Sequence, residues 1–449
     1  MARWVAACLL LLSLNPLHAA SALEWRTNHV SASISSWTLE QTLERIAAVT
    51  GWHVFLEPGT KRDVSVKFQD RTPDRALDLL LGNLGHVLLP PTNGVNSRLL
   101  VFRSSQQSAT QLIEARLATT NKTAIPIPDE LIVTLKPGES IDALAKKLGA
   151  KVIGKIDGTD TYRLKFDDEE SAKSARESLK NDPAVASVDN NYNMVPTPNA
   201  QALGNGGMPI NLRPKAVPDG DRIIVGLIDT AVQAKGSGIA DFLLPGQSVA
   251  GDAQVSDAAP THGTSMAESI LRGASSDGAT DSRVRILSVD VYGNNANTTT
   301  FDVAAGITKA INSGAMIINL SLGSEGSSVL LEQIIQDAHK QGVVFLASAG
   351  NEPVTTPTYP AAYPQVIAVT AGDGRGNLAS YANRGSFVDV VGPGTVPVNF
   401  NGQLWRVSGT SPAAAYIAGL AAGFADQRKM SWAEIDAAIR NGPRTGTAK

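Results

Sequence analysis

Five short, mostly apolar runs, Ile223–Ile228, Arg285–Val289, Met316–Leu320, Val343–Ala347 and Val366–Val369, punctuate the last half of the chain. Near-continuous apolar runs of this length read as strands buried on both faces. The stretches between them are long enough for crossover helices, which neighbouring parallel strands require. The alternation therefore predicts an α/β fold, a doubly wound parallel sheet with helices on both faces. In such sheets the functional site lies beyond the carboxyl ends of the strands. Polar residues just after the apolar runs are the first places to look for chemistry.

Two small α+β domains precede this sheet. In residues 23–104, Thr38 stands three residues before Gln41, a capping-box spacing. Leu39, Leu43, Ile46 and Ala47 then share one helical face. Thr72 and Pro73 open a second helix that presents Ala76, Leu77, Leu80 and Leu81, since proline suits a first helical turn. Val64–Phe68 and Leu99–Phe102 flank these helices as strands. Residues 105–128 are rich in Ser, Gln, Thr and Pro and read as a linker. Residues 129–195 give strand Asp129–Lys136, helix Ile141–Leu148, strands Lys151–Ile156 and Thr161–Phe166, helix Glu170–Leu179 and strand Ala184–Val188. That order, βαββαβ, is the ferredoxin-like plan. Residues 196–220, dense in Pro, Gly and Asn, read as a second linker before the sheet domain, 221–449.

Residues 1–22 read as a signal peptide: Arg3 supplies positive charge, Val5–Leu14 an apolar core, and Ala19, Ala20 and Ala22 small cleavage points. The apolar run is well short of the ~20 residues that span a bilayer, and no later stretch is long enough. The expectation is an exported protein, periplasmic or extracellular, with no membrane span after signal removal. The single cysteine, Cys8, lies inside the signal. The mature chain then has no disulfide, no thiolate metal site and no cysteine nucleophile. A net charge of -3, with no long run of one sign, argues against a nucleic-acid partner.

Four polar residues stand out in the sheet domain. Asp229 ends the run Ile223–Ile228, where a turn or capping carboxylate is equally ordinary. His262, in Thr-His-Gly-Thr-Ser-Met-Ala, opens a helix; a helix-entry residue and a base both fit. Ser411, in Ser-Gly-Thr-Ser-Pro-Ala-Ala-Ala, stands at the start of a small-residue helix, whose positive end favours developing negative charge. A serine N-cap fits there too. Asn351 follows the run Val343–Ala347 in Ala-Gly-Asn-Glu, as a turn residue or an amide donor.

In the order Asp, His, Asn, Ser, these motifs resemble the subtilisin-like serine peptidases. Ile317–Gly323 resembles the family's substrate-binding strand, and Tyr359-Pro-Ala, Ala379–Gly385 and Gly392-Pro-Gly394 resemble further family segments. The resemblance implies a serine endopeptidase that cuts protein or peptide substrates through an acyl-enzyme. Ser411 would be the nucleophile, His262 the base and Asp229 its orienting carboxylate. Asn351 would donate to the oxyanion. Ser321, Leu322 and Gly323 would pair with the substrate backbone, with Gly350 and Glu352 bordering the first specificity pocket. Residues 129–195 look like the family's propeptide, which implies a self-processing precursor. Its own propeptide is then a partner, and the cut falls between Tyr192 and Gln201. Residues 23–104 resemble the short N-terminal domain of secretins and TonB-linked outer-membrane proteins, implying an envelope protein as partner.

The chain departs from the family pattern at Ala231, Ser265, Glu268, Ala415 and Tyr416. The family's main calcium loop is not recognisable after His262, where Asp277 and Asp281 read as a solvated loop. No cofactor and no metal is expected. A second reading stays open: a catalytically weak subtilisin-like scaffold acting as an envelope peptide-binding or regulatory protein.

Overall fold

The computed structural model describes residues 22–26, 29–50, 52–89, 97–113, 125–196, 200–205, 207–352, 354–373, 377–379 and 381–441. The signal-peptide reading, Cys8 included, lies outside these residues except for its last position, Ala22, which begins the first strand. The chain divides into two units, 1–122 and 123–449.

In the first unit the elements run β1 (Ala22–Arg26), β2 (His29–Thr38), α1 (Leu39–Thr50), β3 (His53–Leu56), β4 (Asp63–Arg71), α2 (Pro73–Leu81), β5 (Gly85–Leu89), β6 (Arg98–Phe102) and β7 (Gln111–Ile113). They form a three-stranded sheet, β1-β2-β4, and a four-stranded one, β5-β6-β3-β7. The capping box forms: Thr38 N–H donates to Gln41 Oε1 at 2.9 Å and Gln41 N–H to Thr38 Oγ1 at 3.1 Å. Each helix buries the four apolar residues that its spacing singles out. The unit runs further than its sequence suggests. β7 lies in the stretch read as a linker, yet it pairs with β3 and buries Ile113. Pairing and one buried side chain make a strand of a segment whose composition carries no strand signal.

The second unit begins with β8 (Pro126–Leu135), α3 (Ile141–Leu148), β9 (Lys151–Lys155), β10 (Thr161–Lys165), α4 (Glu169–Leu179) and β11 (Val185–Pro196). The strands are ordered β11-β8-β10-β9, the ferredoxin-like arrangement. Next come β12 (Ala200–Asn205), β13 (Arg213–Pro214), β14 (Ile223–Asp229), β15 (Gln247–Ser248), α5 (His262–Ala274), β16 (Asp281–Ser282) and β17 (Val284–Asp290). Then follow β18 (Thr298–Thr299), α6 (Thr300–Asn312), β19 (Ile317–Leu320), β20 (Leu322–Gly323), α7 (Val329–Lys340), β21 (Val344–Ser348) and β22 (Val366–Gly372). The chain closes with β23 (Val390–Pro393), β24 (Thr395–Phe400), β25 (Gln403–Ser408), α8 (Thr410–Gln427) and α9 (Trp432–Arg440).

Seven parallel strands form the central sheet in the order β15-β17-β14-β19-β21-β22-β23. Apolar residues of α5, α8 and α9 pack one face, and those of α6 and α7 the other. The five apolar runs are five of these strands. The stretch 196–220, read as a linker, holds β12, which pairs with β25, and β13, which pairs with β16.

Helices α5 and α8 cross backbone to backbone, and two glycines permit it. A Cβ on Gly273 would stand 1.9 Å from the Tyr416 carbonyl oxygen, and one on Gly419 1.8 Å from that of Ile270. The departure Tyr416 is thereby part of the crossing, through its main chain. The crossing matters because α5 begins at His262 and α8 carries Ser411 in its first turn.

Candidate active site

Asp229 ends β14 and is 1% exposed. Its register partner on the adjacent strand is Asp290, also buried. Burial pushes the Asp290 carboxyl above the usual carboxylate range, against the N–H groups of Tyr292 and Gly293 that it accepts. Asp229 Oδ1 lies 2.7 Å and Oδ2 3.0 Å from His262 Nδ1, and Thr230 N–H donates to Oδ1 at 2.7 Å. An imidazole gripped at Nδ1 by a buried carboxylate keeps its proton there and presents Nε2 as an acceptor.

The turn before His262 is built by polar groups that sequence reading missed. Thr261 caps α5, accepting from Thr264 N–H at 3.1 Å. Buried Gln233 accepts from Thr261 N–H at 2.7 Å and donates to the carbonyls of Ser256 and Ala259. Gly263 N–H donates to Thr230 Oγ1 at 2.8 Å, tying the first turn of α5 to the end of β14. Gln233 and Thr261 are 28 residues apart, so no local pattern marks the pair.

Ser411 is fully buried in the first turn of α8. Its Oγ donates to the Ser321 carbonyl at 3.3 Å, and Ser321 Oγ donates back to the Ser411 carbonyl at 3.2 Å. Asn319 fixes Ser321 from the other side, Nδ2 to Oγ at 2.9 Å. Among the described residues, His262 Nε2 is buried and has no hydrogen-bond partner. The Asp–His bond is therefore formed in this structure, while a Ser411–His262 hydrogen bond is not.

Asn351 Oδ1 accepts from both the N–H and the Oγ1 of Thr410, at 2.8 and 2.9 Å. With the oxygen so engaged, Nδ2 is turned toward Gly409. Gly409 has φ +149°, and a Cβ there would stand 3.0 Å from Asn351 Nδ2. Glycine is needed both for the conformation and for the space in front of the amide. Asn383, inside one of the family-like segments, secures the loop: its Nδ2 donates to the Ala349 carbonyl at 2.8 Å and its Oδ1 accepts from Glu352 N–H at 2.9 Å. Gly350 has φ +109° beside Asn383, and the Glu352 side chain is exposed.

The propeptide-like sheet docks on the helices beside this site. Asp189 accepts from Ser328 Oγ at 2.7 Å and Leu330 N–H at 3.1 Å, at the N-terminus of α7. A carboxylate there meets the positive helix end. Asn191 Oδ1 accepts from Phe301 N–H at 3.1 Å in α6. Arg163 bridges buried Glu130, at 2.8 and 3.0 Å, to Asp302 of α6, whose carboxyl burial pushes up. β11 then continues to pair Val195 with Gly323 and Pro196 with Leu322.

The departures settle locally. Ser265 turns its hydroxyl onto the Thr261 carbonyl at 3.0 Å, and Ala415 is buried in the core of the sheet face. Glu268 is fully buried and faces Arg272 and Asn399, not His262. Asp277 accepts from Arg428 at 2.7 Å. Among the described residues no cluster of His, Cys, Asp and Glu is placed to hold a metal.

A parallel α/β sheet that carries an Asp–His pair and a helix-borne serine beyond its strand ends defines a serine-hydrolase framework. The chain belongs to the Subtilase family, whose profile matches residues 220–446, and is a serine endopeptidase of that family. The fervidolysin N-terminal prodomain profile matches residues 113–191. Over 233 residues the chain is 34% identical to thermitase of Thermoactinomyces vulgaris, covering 50% of this chain and 82% of thermitase. Over 169 residues it is 40% identical to the thermophilic serine proteinase of Bacillus sp. (strain AK1), 37% of this chain and 42% of that one. Among solved structures, fervidolysin from Fervidobacterium pennivorans superimposes with a TM-score of 0.54 at 20% identity, over 68% of this chain and 55% of its own. That likeness is one of fold.

Proposed function

We propose that Asp229, His262 and Ser411 form the catalytic triad of an exported, self-processing endopeptidase. The bidentate Asp229–His262 contact carries this reading: a buried carboxylate on Nδ1 has no structural need for so close a grip, but a general base does. Rotation of the Ser411 side chain away from Ser321 brings Oγ toward His262 Nε2. His262 takes the serine proton as Oγ attacks the peptide carbonyl, then returns it to the leaving amine. Asn351 Nδ2 and the Ser411 N–H, in the first turn of α8, receive the oxyanion. Pro412 loses nothing there, since its missing N–H is not needed.

Asn351→Ala is expected to lower kcat roughly 100- to 1,000-fold with KM little changed, the scale known for the equivalent donor of subtilisin. Steady-state kinetics on a peptide substrate check it; a loss confined to KM contradicts the role. Ser321, Leu322 and Gly323 hold the substrate backbone, a reading supported by the pairing of Gly323 with Val195 and of Leu322 with Pro196. Gly350 and Glu352 border the first specificity pocket, so Lys or Arg before the scissile bond is tolerated and bulky aromatics are accepted less well. Glu352→Gln is expected to cut kcat/KM for a lysyl substrate roughly two- to five-fold, the range of an exposed charge pair. An unchanged profile dominated by Phe or Tyr contradicts it.

Residues 129–195 act as inhibitor and folding aid for the sheet domain, whose non-local contacts slow folding. Processing cuts the segment between Tyr192 and Gln201, part of which lies outside the described residues. Purified precursor converts to two fragments at a rate independent of its concentration. Cleavage elsewhere, or conversion that scales with concentration, refutes intramolecular processing. In this reading the first unit docks to an envelope protein in the periplasm or at the cell exterior.

A further inference from the structure

β11 ends and β12 begins on strands that flank Ser411. Val195 and Pro196 pair antiparallel with Gly323 and Leu322, next to Ser321, which bonds Ser411. After three residues, 197–199, Ala200 to Asn205 pair antiparallel with β25 from Val407 back to Gln403. β25 leads directly into Gly409 and Ser411. β12 therefore lies on the edge along which residues following a scissile bond leave the site.

Burial does not hold β12 there, since Leu203 is 54% exposed. The anchor lies just beyond it, at Met208. Asn399 grips the backbone of that residue on both sides, its Oδ1 accepting from Met208 N–H at 2.9 Å and its Nδ2 donating to the Met208 carbonyl at 2.8 Å. Arg272 Nη2 donates to the same carbonyl at 2.5 Å. Both clamps are set by Glu268. Its Oε1 accepts from Arg272 at 2.7 Å and Asn399 Nδ2 at 2.9 Å, and its Oε2 from Asn399 N–H at 2.8 Å. A carboxylate is kept in a protein interior only when donors and charge compensate it. Here those donors are the groups that seize the arm, and Glu268 is one of the residues where the family pattern is broken.

We propose that β12 stays on β25 after the precursor is cut, strapped by Glu268, Arg272 and Asn399, and makes the enzyme select against peptides with several residues beyond the scissile bond. The inference rests on the triad and linker cut proposed above. An arm tethered at Met208 competes intramolecularly, at an effective concentration of order millimolar. A peptide with a long chain after the cut must displace its backbone pairs, whereas a substrate with a small leaving group need not. If arm-free enzyme is about one part in ten, long peptides lose about tenfold in apparent affinity.

The test compares a quenched fluorogenic peptide with five residues after the cleaved bond and a p-nitroanilide with the same four residues before it. Mature wild type is measured beside Glu268→Gln and the double variant Gln201→Pro, Ala202→Pro. The double change removes whichever N–H faces β25 without touching the Glu268 cluster, so it serves if Glu268→Gln does not fold. Both variants are expected to raise kcat/KM for the long peptide about tenfold and leave the anilide within about twofold. An unchanged ratio, a parallel change in both substrates, or a mature N-terminus beyond Asn205 overturns the proposal. Wild-type inactivity on the anilide overturns the triad reading with it; activity with an unchanged ratio overturns this inference alone.

Discussion

Replacement of Ser411 by alanine is expected to lower kcat by on the order of 10⁶-fold, the loss established for the nucleophile of subtilisin. The change removes one oxygen from a fully buried side chain in the first turn of a helix already rich in alanine. Alanine is the best helix former, and Ser321 keeps its bond to the carbonyl of residue 411, which the substitution does not alter. The unfolding midpoint should therefore shift little while activity vanishes. Two readouts separate chemistry from folding: turnover on a peptide substrate, and thermal unfolding of the same preparation. The variant should also accumulate as a precursor with its linker uncut. Residual turnover above about one part in a thousand contradicts Ser411 as nucleophile.

Asp229→Asn is expected to cost about 10⁴-fold in kcat with the fold retained, as when other serine peptidases lose this charge. Thr230 N–H donates to Oδ1, so the amide oxygen of asparagine remains there and its NH₂ takes the place of Oδ2, 3.0 Å from His262 Nδ1. Nδ1 then faces a donor at 3.0 Å as well as the amide oxygen at 2.7 Å, which weakens the hold on its proton and favours the tautomer protonated at Nε2, where the serine proton cannot be accepted. The substitution also removes the negative charge that stabilises the imidazolium in a buried site. Kinetics at saturating substrate check the prediction, and a loss under tenfold contradicts it.

Much of the catalytic fold was legible because its signals are local. β14, β17, β19, β21 and β22 are buried on both faces, so each shows as a mostly apolar run, and the observed ends agree to within a few residues. Asp229 and His262 are legible for a related reason: each marks an element boundary. β12, β7 and the β24–β25 hairpin were not legible. β12 is polar, glycine-bearing and mostly exposed, and exists because β25 offers it a free edge. Gln233, Asn383 and Asp189 were missed for a different cause. Each holds the site through partners far away in sequence, such as Ser328, 139 residues from Asp189. Glu268 was noticed only as a break in a pattern, because the two residues that receive it, Arg272 and Asn399, are set by the fold.

The triad is tested most directly by the reactivity of one oxygen. Mature enzyme treated with a fluorophosphonate probe and digested for peptide mass spectrometry should carry one adduct, on Ser411. Labelling should be lost in Ser411→Ala and slowed by orders of magnitude in Asp229→Asn. An adduct on another residue, or peptide hydrolysis by enzyme that Ser411 labelling leaves fully active, would contradict the account.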